Sequence, residues 1–128
     1  MKKAVCVLIK IGQGYLAVTR PNSKQWGLVG GKVDPGETTL QAIVREVQEE
    51  VGLTLEPTSL QEAFTQVCPG EVDYLTTTFV HPDMDASELG NIKMETGLFF
   101  SLITKENLCD INLSPFAGYN QQLFESLE

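Results

Sequence analysis

The sequence predicts an α/β sandwich, a mixed sheet held between helices, in a single domain spanning residues 1–128. Three observations predict it: short apolar or β-branched segments on either side of the middle of the chain, one long amphipathic helix between them, and a second helical pattern at the C-terminal end. A chain of 128 residues, 42% hydrophobic, with no apolar run long enough to span a bilayer, has material for one hydrophobic core and not for two.

Residues 4–9 and 15–19 read as short strands joined by a hairpin connection at Ile11-Gly12-Gln13-Gly14. The loop Pro21-Asn22-Ser23-Lys24 leads to a strand at 26–29, aimed at a glycine loop made by Gly30 and Gly31. Asp34, Pro35 and Gly36 supply a second turn, after which Glu37 or Thr38 is placed to cap a helix. In that helix Leu40, Ile43, Val44, Val47 and Val51 recur at steps of three and four and form one apolar stripe, and Gly52 supplies the stop. Residues 60–67 and 72–80 read as a hairpin around Cys68-Pro69-Gly70, with Thr76, Thr77 and Thr78 favouring strand. The polar stretch 81–91 predicts a loop near the mouth of a site, and 97–102 a final strand. Ser114-Pro115, followed by Phe116, Tyr119, Leu123, Phe124 and Leu127, predicts a closing helix with proline in its first turn.

A net charge of −8 disfavours nonspecific attraction to nucleic acid polymers or anionic membranes. The charge is uneven: no acidic residue precedes Asp34, whereas Lys2, Lys3, Lys10, Arg20, Lys24 and Lys32 do. Arg20 and Lys24 are the candidates to face substrate phosphates. Cys6, Cys68 and Cys109 are odd in number and widely separated, which predicts free buried thiols and neither a disulfide framework nor a zinc site. Lys10 interrupts the apolar start MKKAVCVLIKIG and no small-residue cleavage site follows, so the expectation is a buried strand in a cytoplasmic protein.

The middle helix carries the chemistry. At roughly 100° per residue, Glu46, Glu49 and Glu50 fall in a sector of about 100° beside the apolar stripe, so one face presents three carboxylates. Like charges there repel, and a divalent cation with a taste for hard oxygen ligands, Mg²⁺ or in its place Mn²⁺, would neutralise them. Arg45 can brace Glu49 at i,i+4.

Gly31, Glu37, Arg45, Glu46, Val47, Glu49, Glu50, Gly52 and Leu53 stand at the spacing of the box by which the Nudix hydrolases are known, and the chain resembles that family, in particular its MutT-like branch. Motif matching covers residues 31–53; a Trp-Gly-aliphatic entry to the glycine pair and Glu95 ahead of the segment LFFSL are similar in kind. Val29 departs from the family, which often has proline there, and at most an altered loop is expected from the change. The resemblance implies a Nudix-type α/β/α sandwich with a loop-helix-loop element that holds Mg²⁺ and cleaves a nucleoside diphosphate linked to another group. It implies Glu46, Glu49, Glu50, the carbonyl of Gly30 and Glu95 as metal ligands, with Glu88 the competitor for the last place. Glu46, Glu49 or Glu95 would take the proton from water, while Glu37 ties the loop to the helix and Arg45 orients a glutamate. Gly31 would allow a loop conformation that a side chain obstructs.

Other phosphate chemistries fit less well. The run 27–33 lacks Walker spacing and has Val33 where a hydroxyl must bind Mg²⁺, and His81, the only histidine, has no nucleophilic partner nearby in sequence and reads as structural. Within the resemblance, Asn120 on the closing helix can hydrogen-bond a purine edge, and Trp26, Phe79 or Tyr74 can stack on a base. The leading expectation is hydrolysis of a nucleoside triphosphate, oxidised or not, to monophosphate and pyrophosphate. Pro69 keeps an ADP-ribose or nucleotide-sugar hydrolase open, and a non-catalytic nucleotide-binding module is the reading from another class. The partner is a small nucleotide, and the assembly a monomer or homodimer.

Overall fold

The computed structural model describes residues 1–20 and 23–128; Pro21 and Asn22, half of the loop predicted before Trp26, lie outside the described residues. Its strands are β1 (Lys2–Leu8), β2 (Lys10–Ile11), β3 (Gly14–Thr19), β4 (Gly27–Lys32), β5 (Gln61–Cys68), β6 (Tyr74–Val80) and β7 (Phe99–Ile103). The helices are α1 (Thr39–Val51), α2 (Lys105–Leu108) and α3 (Ala117–Ser126). Among the described residues the strands order as β2-β3-β4-β1-β6-β5, with β7 on β3. β1 runs parallel to β6 and the other pairs are antiparallel, which gives the predicted mixed sheet.

Alternation along the strands divides the core into two layers. Val5, Val7, Ile9, Leu16, Val29 and Phe79 face α1 and meet its stripe of Ala42, Ile43, Val47 and Val51. Leu8 and Ala17 face the other way and meet Leu108, Tyr119, Leu123 and Phe124 of α2 and α3. Ile43, Val47 and Val51 are fully buried, each contributing about 1.5–3 kcal/mol, and an aspartate at Val47 would remove that seam. Thr38 caps α1, accepting from the Gln41 amide while the Gln41 side chain accepts from the Thr38 amide. Gly52 ends it in the left-handed region at φ 73°.

Several expectations need correction. Gly30 and Gly31 lie within β4, paired with Cys6 and Val5, so no glycine loop exists there. Val29 is a fully buried strand residue facing α1, not a loop residue. Ser114-Pro115 precede α3, and the proline sits in the turn before the helix; the Ser114 hydroxyl accepts from the Phe116 amide. The stretch 81–91 packs against the core through Met84, which bridges to Ile11, and ends in a 3-10 helix, Ala86–Asn91, away from the cleft described below. Phe79 is buried on the α1 face and cannot stack on a ligand in that cleft. The three thiols are free but only partly buried. No helix among the described residues is long and apolar enough to cross a membrane.

Candidate active site

β4 belongs to two halves of the sheet, and the site lies where they separate. It pairs with β3 only through Leu28 and Gly27, and with β1 from Val29 to Lys32. The Val33 amide donates to the Lys3 carbonyl, and antiparallel alternation then makes Gly30 a position whose N–H and C=O point away from β1. β3 has already turned off to pair with β2, so that edge meets no strand. The Gly30 N–H instead donates to Glu50 Oε1 at 3.0 Å.

Glycine is required at both positions by space. A Cβ on Gly30 would collide with the Val5 carbonyl, and one on Gly31, which faces α1, would collide with the Glu46 carboxylate. Gly31 thus makes room for a side chain where the sequence had suggested a special backbone conformation.

Arg45 organises the acidic face. Its Nε donates to Glu37 Oε2 at 2.7 Å and its Nη2 to Glu37 Oε1 at 2.9 Å and to the Lys32 carbonyl at 3.0 Å. Its Nη1 donates to Glu46 at 2.9 Å and to Glu49 Oε2 at 3.2 Å. Glu37 also accepts from the Asp34 amide, closing the turn onto the helix. Hydrogen bonding from Arg45 holds the Glu37 carboxyl down at about 2.

The remaining carboxylates are under strain of charge. Glu50 is buried, and that burial pushes its carboxyl up to about 7; the Gly30 N–H works against the shift, while the charges of Glu46 and Glu95 add to it and Arg20 opposes it. Glu46 is raised by burial too, against the pull of Arg45. Glu95 is exposed and is fixed by its backbone, whose N–H donates to the Glu50 carbonyl at 2.9 Å.

Glu50 forms one end of a cleft of about 760 Å³ that runs from the α1 edge over Gly30, Gly31 and Cys6 to Tyr119 and Asn120 of α3. Trp26 and Phe116 form one wall, and Cys68, Pro69 and Tyr74 of the β5–β6 hairpin another. The floor is tied to α3 by hydroxyls: the Tyr119 hydroxyl donates to the Thr76 carbonyl at 3.1 Å, lies 2.7 Å from Thr78 Oγ1, and that oxygen lies 3.0 Å from Cys6 Sγ. With the tyrosine proton committed to the carbonyl, the chain runs from the Cys6 thiol through Thr78 to Tyr119. Burial pushes the thiol up to about 12.

Of the residues singled out in the sequence, Gly30, Glu50, Arg20 and Asn120 line this cleft, Glu46 and Glu49 meet at Arg45, and Glu95 stands beside Glu50. Lys24 is exposed and outside the lining, and Glu88 bonds Asn91 on the 3-10 helix. Among the described residues no three acidic, cysteine or histidine side chains converge at ligating spacing, because Glu46 and Glu49 turn to Arg45 while Glu50 turns to Gly30. Sequence reasoning did not single out Lys32 as the cleft's second cation, nor Phe116 and the hydroxyl chain. Strand alternation from Gly30 would have placed Lys32; the others depend on where α3 docks.

A family model described as the NUDIX domain matches residues 1–96. The chain belongs to the Nudix family. Nudix relatives match over short segments: a nucleoside triphosphatase NudI from Enterobacter sp. (strain 638) is 37% identical over 62 residues, 44% of this chain and 44% of that one. An 8-oxo-dGTP diphosphatase from Escherichia coli (strain K12) is 61% identical over 33 residues, 26% of each. The chain thus spans less than half the length of these relatives. As a fold the Nudix likeness is complete: a MutT protein from Methanosarcina mazei Go1 superposes with a TM-score of 0.78 at 22% identity, covering 99% of this chain and 95% of that one.

Proposed function

We propose that this Nudix protein hydrolyses a nucleoside triphosphate, oxidised or not, to the monophosphate and pyrophosphate with Mg²⁺, or Mn²⁺ in its place. The observation that carries the reading is one continuous cleft of about 760 Å³ lined by Glu50 and Gly30 at the α1 edge and by Asn120 on α3, which offers separate places for phosphates and base.

The residues fit a hard divalent ion. Among the described residues Glu50 is a buried carboxylate with no cation hydrogen-bonded to it, and burial, with the neighbouring charges of Glu46 and Glu95 adding to it, raises its proton affinity, the condition a cation relieves. Glu46, Glu49, Glu50 and Glu95, with the Gly30 carbonyl on the strand edge that carries the Gly30 N–H, would hold it. When bound it neutralises phosphate oxygens and acidifies water.

The chain's own groups do the rest. Arg45 restrains Glu46 and Glu49 while keeping off the substrate, and one of those two carboxylates takes the proton from the attacking water, with Glu95 assisting. Burial raises the proton affinity of Glu46, against the pull of Arg45. Arg20 meets phosphate oxygens. Asn120 is buried, and its Nδ2 donates to the Leu108 carbonyl at 2.8 Å, which fixes the amide for reading a base edge. The reading includes a cytoplasmic monomer or homodimer acting on small nucleotides.

Pro69 lines the cleft and keeps ADP-ribose or a nucleotide sugar as a second substrate class. A Mg²⁺-dependent turnover screen over nucleoside triphosphates including 8-oxo-dGTP, ADP-ribose and nucleotide sugars, with products identified by mass, separates the readings. Pyrophosphate from a triphosphate supports the first and ribose phosphate the second. Ligand binding without turnover under Mg²⁺ or Mn²⁺ points to a regulatory binding module.

A further inference from the structure

The cleft contains two cations among its described lining residues, Arg20 and Lys32, and they are held differently. Arg20 lies close enough to Glu50 for the two charges to act on each other. Lys32, the last residue of β4, has an exposed side chain with four rotatable carbons, and among the described residues no carboxylate pairs with it. What holds its ammonium is an aromatic face: Lys32 Nζ sits 5.9 Å from the centroid of the Tyr74 ring, and both residues line the cleft.

Register explains why these two meet. Lys32 pairs with Ala4 across β1–β4, and Ala4 pairs with Thr76 while Lys2 pairs with Tyr74 across β1–β6. Lys32, Ala4, Thr76 and Tyr74 therefore share one face of the sheet, and the small Ala4 side chain leaves the path between Lys32 and the ring open. Among the described residues no hydrogen bond engages the Tyr74 hydroxyl, and the ring's flat face is its contribution here.

We propose that Tyr74 is a positioning residue that keeps the Lys32 ammonium over the cleft, where it meets the non-bridging oxygens of a polyphosphate. This rests on the reading of the cleft as a nucleotide polyphosphate site. Without the ring, Lys32 samples solvent, and the rotamer freedom lost on meeting an anion returns as weaker binding.

A titration with inorganic tripolyphosphate, followed by the fluorescence of Trp26, the only tryptophan and a cleft residue, tests the proposal without catalysis. Tyr74→Leu is expected to weaken binding about two- to five-fold, the range of an exposed cation–π contact, and Tyr74→Phe to bind as the parent does. In a Lys32→Gln background Tyr74→Leu is expected to add nothing, because the pair acts as a unit. With a turnover substrate, the Tyr74→Leu defect falls on KM more than on kcat and Tyr74→Phe restores it. The proposal is overturned if Tyr74→Leu binds as the parent does, if Tyr74→Phe loses as much as leucine, or if the loss persists without Lys32. If the parent turns over no nucleotide yet this tripolyphosphate pattern holds, the proposed function fails and the positioning role stands.

Discussion

The backbone N–H of Glu95 donates to the carbonyl of Glu50 at 2.9 Å, so one carboxylate-bearing residue is hung from the last turn of the helix that carries the other. The Lys93 amide does the same to the Val51 carbonyl at 2.8 Å. Both carbonyls belong to the C-terminal turn of α1, where intrahelical partners run out. Gly52 makes this docking possible, since a Cβ there would lie 2.9 Å from that of Lys93.

Gly52→Ala should therefore do more than strain a left-handed residue, which alone costs about 1–2 kcal/mol. The segment 93–95 must back away, carrying Glu95 with it. We expect kcat to fall further than the change in melting temperature implies, and the Glu95 amide to lose hydrogen-exchange protection; unchanged protection would separate Glu95 from Gly52.

Glu50 sets a pH dependence. Its folded carboxyl titrates at about 7, above the unfolded glutamate at about 4.3, so the fold binds this proton more tightly than the open chain does. Stability from this group is fully present at low pH and is lost as pH rises through that window, by on the order of 2 kcal/mol once partial solvent access is allowed for. Glu37, held at about 2, acts oppositely and withdraws stability as pH falls below about 4. In metal-free protein at pH 8, Glu50→Gln is expected to melt above the parent while turnover with Mg²⁺ is lost. Coincident melting curves at pH 8 would show that the buried charge is not a cost.

Gly31→Ala places a methyl group where the Glu46 carboxylate lies. The atoms it meets are the far end of a flexible side chain, so the fold should survive while the carboxylate shifts by about an ångström. A loss of roughly 10²-fold in kcat with a small change in melting temperature is expected. A variant that unfolds before it loses activity would place the strain in β4 instead.

Arg45→Lys keeps the charge and loses the fork. Glu37 accepts from both Nε and Nη2, and a single ammonium cannot reproduce that pair while reaching Glu46, Glu49 and the Lys32 carbonyl. Thermal denaturation should show a fall of roughly 5 °C or more, and turnover should fall with it. A lysine variant with parental stability and rate would reduce Arg45 to a point charge.

How much of this was legible in the chain depended on the range of the interaction. The α1 stripe, its Gly52 stop and the Arg45–Glu49 contact follow from spacing along one helix and were readable from residue numbers alone. The strand path of Gly30 and Gly31 was not, because two adjacent glycines signal a turn locally and only the approach of β1 and of Glu46 shows that missing side chains were the requirement. The place of Lys24 outside the cleft lining likewise depends on tertiary structure, whereas Lys32 shares the face of Gly30 by simple strand alternation. Asn120 could be singled out only through resemblance, since its bond to the Leu108 carbonyl joins two helices whose docking no local pattern encodes.

The departure of β3 from β4 has a consequence for solubility as well. A row of unpaired backbone donors and acceptors ordinarily invites the strand of another molecule, and proteins blunt such rows with charge, bulges or cover. Here the bare stretch at Gly30 lies inside the strand order, hemmed by β3 on one side and by Glu50 with the segment 93–95 on the other. An incoming polypeptide cannot lie flat along it, whereas a compact polar guest can enter end-on. The fold thereby keeps an aggregation-prone feature out of reach of its own kind and open to small molecules.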